Sequence, residues 1–251
     1  MSVIYLNGEF IGDKGSLVSH RDSGFTTGIG IFDSMLAHDG ALVHGAAHYE
    51  RIANDVKTVI GLKFPMSFER FEEECLQLLE KNKLAYNYVR IRTTVTGGVV
   101  KGPLMPAHTC TVLIDVTACP SPEKVEPVSC VVIEDFPRVA GCELENCKRL
   151  DYSRSYAARR KAESLGAQEA ILINTDGNIA CGATSNIFIE ENGALVTPPL
   201  SDGVLAGVMR RKIIEERDVT EESISVGRLQ RSEKIYLTNS FIGLRPVKLP
   251  V

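Results

Sequence analysis

The sequence predicts an α+β protein of two domains divided near residue 120, and three observations carry that prediction. The first half is rich in β-branched, strand-like runs and holds only two helical patterns. Residues 118–127 bring three prolines and three charges into ten positions, the composition of an interdomain linker. The length of 251 residues suits one large or two modest domains, and 44% hydrophobic content argues against disorder.

Taken in order, Val3–Ile11 is an apolar run broken by Asn7-Gly8, the type I′ hairpin signal, and a second hairpin closes around Asp39-Gly40. A helix is expected from Ala46 to Ile60, with Ile52, Val56, Val59 and Ile60 on one face and Gly61 as its stop. Another follows Pro65, N-capped by Ser67, with Phe68, Phe71, Cys75, Leu78 and Leu79 as its apolar stripe. Strands are expected at Tyr88–Val95 and Thr109–Val116. Beyond the linker come a strand at Ser129–Ile133, a helix at Tyr152–Leu165 and a strand at Ala170–Ile173 that ends in the Asp176-Gly177 turn. Strands at Asn186–Ile189 and Ala194–Thr197 flank Asn192-Gly193. A helix over Val208–Glu216 and a strand over Lys234–Thr238 complete the pattern, and no repeat is present.

Twenty-eight basic against 32 acidic residues leave a net charge of −4, with no long basic run, so neither nucleic acid nor an anionic membrane is expected as a partner. Seven cysteines, at 75, 110, 119, 130, 142, 147 and 181, include no C-x-x-C and read as reduced thiols. The first twelve residues lack the basic and then apolar stretch of a signal peptide, and no window approaches 18 apolar residues. The expectation is a cytoplasmic, soluble protein.

Several local patterns have chemical potential. His44 and His48 have a metal-sharing spacing but no third ligand, so no metal is expected. Gly28-Ile29-Gly30 lacks the third glycine of a dinucleotide fingerprint and reads as a bend. The runs Arg159-Arg160-Lys161 and Arg210-Arg211-Lys212 read as solvated helix faces. Gly207-Val208-Met209-Arg210 opens a helix, where free N–H groups suit an anion, and Thr238-Asn239-Ser240 places donors at a strand end. Either reads equally as capping and turn chemistry. Lys148 just precedes a helix, near the positive end of its dipole, which favours a neutral amine; taken alone, most such lysines are surface residues.

Seven motifs in order extend over nearly the whole chain: Tyr5 to Phe10, Gly28 to Asp33, His48 to Ile52, Cys147 to Tyr152, Ser185 to Phe188, Gly203 to Arg210, and Thr238 to Ser240. Together they resemble the class IV, fold-type IV pyridoxal-phosphate (PLP) enzymes, which include branched-chain and D-amino-acid aminotransferases and aminodeoxychorismate lyase. The resemblance implies a small N-terminal α/β domain at 1–117, the linker at 118–127, and a larger β-barrel-like PLP-binding domain with flanking helices at 128–251. It implies a homodimer whose active sites lie near the subunit interface. Eleven residues follow Ser240, so the longer C-terminal extension of many relatives is not expected.

The resemblance assigns Lys148 as the catalytic lysine that forms a Schiff base with the cofactor. It assigns Arg51, the N–H groups of Val208 and Met209, and the Ser240 hydroxyl to the cofactor phosphate, a task for which a guanidinium fork is suited. Leu205 matches the apolar residue at the pyridine face, and Tyr152 matches a tyrosine that bonds the ring hydroxyl. Cys181 departs from the pattern, because relatives place a glutamate there to hold the proton on the pyridine nitrogen. A neutral thiol does not supply that charge.

On the substrate side, Arg92 aligns with an arginine near the substrate carboxylate of branched-chain enzymes, Phe32 lies in the Gly-Ile-Phe-Asp motif, and Ser34 is the nearest substitute for a lyase threonine. The D-amino-acid class is disfavoured, because Gly97 stands where its carboxylate-binding arginine belongs. The resulting expectation is a PLP-dependent aminotransferase of a small amino acid. The alternatives are aminodeoxychorismate lyase, releasing pyruvate from a chorismate-derived amine, and a PLP-binding homologue with little catalysis because of Cys181.

Overall fold

Alternating apolar residues build a six-stranded antiparallel sheet in the N-terminal unit. A computed structural model describes residues 2–14, 18–102, 104–122 and 126–249. The chain runs β1 (Val3–Leu6), β2 (Glu9–Gly12), α1 (Ser23–Thr27), β3 (Gly30–His38), β4 (Ala41–Leu42), α2 (Gly45–Asp55), α3 (Phe68–Lys81), β5 (Val89–Thr96) and β6 (Thr111–Ala118). The sheet order is β2-β1-β6-β5-β3-β4. Ile31, Met35, Val89, Ile91, Val112 and Ile114 share one face and pack with Ile52, Phe71, Cys75 and Leu78 of α2 and α3. Burying a side chain such as Phe71 or Leu78 contributes about 2–3 kcal/mol.

Ser67 caps α3 as expected, accepting from the Arg70 N–H at 3.3 Å. The helix expected over 46–60 divides into α2 and a π turn, Val56–Ile60, that ends at Gly61 with φ 79°. The segment read as a bend is one at Gly28, which ends α1 with φ 70°, and its last residue, Gly30, opens the nine-residue β3. Its alternation is hidden in the sequence because Asp33 occupies the apolar row.

The C-terminal unit holds β7 (Val128–Arg138), α4 (Ser153–Ser164), β8 (Glu169–Asn174), β9 (Asn178–Gly182), β10 (Asn186–Glu191), β11 (Ala194–Thr197), α5 (Val208–Glu216), β12 (Val219–Glu221), β13 (Ile224–Ser225), α6 (Val226–Arg231), β14 (Lys234–Asn239) and β15 (Ile242–Lys248). Its nine strands follow the order β12-β11-β10-β14-β15-β7-β8-β9-β13. Three residues, Ala183 to Ser185, join β9 to β10, and the Gly182 N–H donates to the Ser185 carbonyl at 2.8 Å. In a flat sheet those strands would lie roughly 24 Å apart, beyond the reach of so short a connection. The sheet therefore curls back on itself.

The compact units are Met1–Ser121 with Cys147–Asp151, and Pro122–Asn146 with Tyr152–Val251. Five residues around Lys148 thus belong with the N-terminal unit, although the sequence reading put them in the C-terminal domain. Glu123, Lys124 and Val125 of the expected linker lie outside the described residues. No helix among the described residues is long and apolar enough to cross a membrane.

Candidate active site

In the N-terminal unit the site begins with the alternation of β3. Asp33 falls on the helix-covered face with Ile31 and Met35, where a carboxylate is costly unless bonded. α2 supplies the partners one turn apart. His48 Nδ1 lies 2.7 Å from Asp33 Oδ1, and Arg51 donates through Nε and Nη2 to Oδ2 at 2.9 and 2.7 Å. All three residues are buried. Burial alone would raise the Asp33 pKa, but the Arg51 and His48 charges outweigh it and hold the carboxyl well below its usual range. The fork anticipated for a phosphate is therefore committed to Asp33. Arg51 Nη1 has no hydrogen-bond partner among the described residues.

Phe32 and Ser34 point to the opposite face. Residues 147–151 run along the start of β3: the Phe32 N–H donates to the Lys148 carbonyl and the Leu150 N–H to the Gly30 carbonyl, each at 2.9 Å, and Ile31 opposes Arg149. A Cβ at Gly30 would lie 2.6 Å from Leu150 Cδ1 and 2.6 Å from the Val95 carbonyl oxygen, so only glycine admits this strand. The Lys148 ammonium sits 4.4 Å from the Phe32 ring centroid and the Arg92 guanidinium 4.1 Å from the same ring. Arg92 also opposes Ser34 across β3 and β5. The structure thus gathers Lys148, Phe32, Arg92 and Ser34.

Burial, followed by the Arg51 and Arg92 charges, outweighs the opposing pull of Asp33 and Asp55 and lowers the Lys148 pKa from 10.5 to about 8. Its own N–H donates to Asp55 Oδ2 at 2.9 Å. Sequence reasoning overlooked both Asp33 and Asp55. The signal for Asp55 was spacing: His48, Arg51 and Asp55 fall at i, i+3 and i+7 of one helix, a polar row at a period that buries its members.

In the C-terminal unit, α5 starts at Val208 with no side-chain cap, and Gly207 precedes it in extended backbone. A Cβ on Gly207 would stand 2.0 Å from Asn186 Oδ1. Asn186 Nδ2 donates to the Leu205 carbonyl at 2.9 Å, and Asn186 pairs with Thr238 across β10 and β14, two residues before Ser240. Asn186 therefore ties the start of α5 to the end of β14. Val208 is buried and Leu205, Met209 and Ser240 are partly exposed.

Cys181 lies in an apolar cluster with Leu172, Ala180 and Val204. Burial raises its pKa against the lowering charge of Arg138. The nearby Glu145 is itself paired, with Arg138 Nη2 at 3.0 Å from Oε2 and with Arg154 through Oε1. The Tyr152 hydroxyl donates to the Ala183 carbonyl at 3.4 Å, and burial, then the Cys181 charge, raises its pKa. His48 serves Asp33, and His44 begins α2 at φ 55°. No cluster of three or more metal-ligating side chains occurs among the described residues.

Residues 30–249 match the family model of amino-transferase class IV. The chain belongs to the class IV aminotransferases. It is 30% identical to a Methanocaldococcus jannaschii protein named for branched-chain-amino-acid aminotransferase activity, over 97% of this chain and 86% of the relative. It is 25% identical to an aminodeoxychorismate lyase of Bacillus subtilis, over 97% and 85%. The fold matches the crystal structure of a branched-chain aminotransferase from Thermoproteus uzoniensis with a TM-score of 0.90, at 23% identity, covering 99% of this chain and 87% of that one. The fold is the α+β, fold-type IV architecture. Class IV aminotransferases are PLP-dependent enzymes. Within the N-terminal unit the residues present fit the aldehyde of that cofactor: the Lys148 amine, lowered to a pKa of about 8, lies 4.4 Å from the Phe32 ring.

Proposed function

We propose that this class IV aminotransferase transfers the amino group of a small amino acid, with Lys148 as the amine that engages the PLP aldehyde and then carries the substrate Cα proton. The observation that supports this most is the Lys148 ammonium itself, half-buried against Phe32 and acted on by the Arg51 and Arg92 charges, at a pKa of about 8. At pH 7 such an amine is neutral roughly 300 times more often than one at 10.5.

When bound, the cofactor withdraws electrons from Cα so that its proton becomes acidic. Lys148 accepts that proton as a free amine and returns it. Arg92, with Phe32 and Ser34 beside it, is the proposed partner of the substrate carboxylate. Arg51 Nη1, the Val208 and Met209 N–H groups and the Ser240 hydroxyl are the proposed phosphate donors. Leu205 and Tyr152 are the proposed apolar and hydroxyl contacts of the ring. Cys181 offers the ring nitrogen no carboxylate, which favours slow transamination, and Cys181→Glu is expected to raise the transaminase rate; an unchanged or lower rate in a folded variant contradicts that role.

A homodimer in a reducing, cytoplasmic setting belongs to the same reading, supported by the family resemblance and by seven cysteines that form no disulfide among the described residues. Sedimentation velocity checks the oligomeric part. The reaction is tested with a panel of L- and D-amino acids and aminodeoxychorismate under anaerobic conditions. Keto-acid formation that requires an amino acceptor is the expected result. Pyruvate release from aminodeoxychorismate without an acceptor replaces this reading with the lyase, and absence of both leaves a cofactor-binding homologue.

A further inference from the structure

Asp55 is 5% exposed and plays no part in the site expected from the sequence. It ends α2 one turn beyond Arg51, and the π turn Val56–Ile60 begins directly after it. π turns inserted in helices are frequent at functional sites. Its Oδ2 accepts the Lys148 N–H at 2.9 Å, and the Cys147 thiol bonds the same carboxyl. Lys148 and Phe32 face each other across the short ladder that joins residues 148–150 to β3. In a regular antiparallel ladder, bonds at an opposed hydrogen-bonded pair run in both directions. Here Phe32 gives its N–H to the Lys148 carbonyl, whereas the Lys148 N–H turns to Asp55. The ladder therefore breaks at the lysine, and a carboxylate takes the freed donor. Burial penalises that carboxylate and raises its pKa, offset first by the Lys148 N–H bond and then by the Arg51 charge.

We propose that Asp55 is a positioning residue for Lys148: by capturing its main-chain N–H it ends the ladder at that residue and fixes the direction in which the lysine side chain leaves the backbone. The proposal rests on Lys148 being the reactive amine. Its physical content is local. Losing the carboxylate frees the N–H either to close the ladder on Phe32 or to exchange with water, and both move the base of the lysine side chain.

The test compares Asp55→Ala, which removes the acceptor, with Asp55→Asn, which keeps one acceptor oxygen, in the full-length chain. Amide hydrogen exchange at Lys148 and the pH profile of Lys148 acylation by a small anhydride, read by peptide mass spectrometry, are measured before PLP is added. In Asp55→Ala we expect Lys148 exchange to change at least tenfold while β5, β6 and α3 are unaffected, with a displaced acylation profile. Asp55→Asn should restore most of the exchange protection. An unchanged rate at Lys148, a change spread equally over the N-terminal unit, or an acylation profile identical to that of the parent would overturn the proposal. If Asp55→Ala does not fold, Asp55→Ser supplies the shortened side chain for the same comparison. Turnover by Lys148→Ala tests the reactive-amine reading separately, because the exchange result does not depend on catalysis.

Discussion

Lys148 shows how burial and charge compete at one ammonium. Burial and the Arg51 and Arg92 charges favour the neutral amine, while Asp33 and Asp55 favour the cation. Acylation of Lys148 is therefore expected to titrate near pH 8; removing a cation with Arg92→Gln should move the midpoint upward, and Asp33→Asn should move it downward. A midpoint near that of an exposed lysine would contradict this balance. Asp33 also bears on stability. Its folded pKa is depressed, so the stabilisation is complete above the unfolded carboxylate value and is lost as pH falls through the folded one. At neutral pH, Asp33→Ala leaves Arg51 and His48 buried without their carboxylate, and urea unfolding should register a loss of about 3–5 kcal/mol.

Among the elements, α5 and β3 carry the clearest demands. At Gly207 an added methyl would overlap Asn186 Oδ1, so Gly207→Ala should shift the start of α5 and weaken PLP binding at least tenfold in a cofactor titration, with little change in thermal midpoint. Unaltered affinity would remove the α5 start from the phosphate site. The α5 helix was legible in the sequence because Gly207 and the apolar spacing after it are local signals. Of β3 only the end was legible, from the Asp39-Gly40 turn; its start was not, since Asp33 breaks the apolar row and becomes intelligible only once His48 and Arg51 are known to lie above it. β15 escaped notice for a similar reason: Arg245 and Pro246 interrupt it, and its parallel pairing with β7 is non-local.

For the whole molecule, family motifs are what singled out Lys148 for the proposal, and local sequence could not tell that residues 147–151 belong with the N-terminal unit. Long-range pairing of this kind has no local signature, which is also why Asp55, 93 positions from Lys148, was missed. The α+β class was readable because each strand and helix signal is short in range, whereas the curl of the second sheet follows only from where β9 and β10 fall in its strand order. The central claim, that one half-buried lysine in the N-terminal unit is the amine that takes the cofactor, is tested most directly by adding PLP to the full-length chain, reducing with borohydride and mapping the modified peptide. A phosphopyridoxyl group on Lys148 is the predicted result. Cofactor bound without modification of Lys148, or modification at another lysine, would contradict the account.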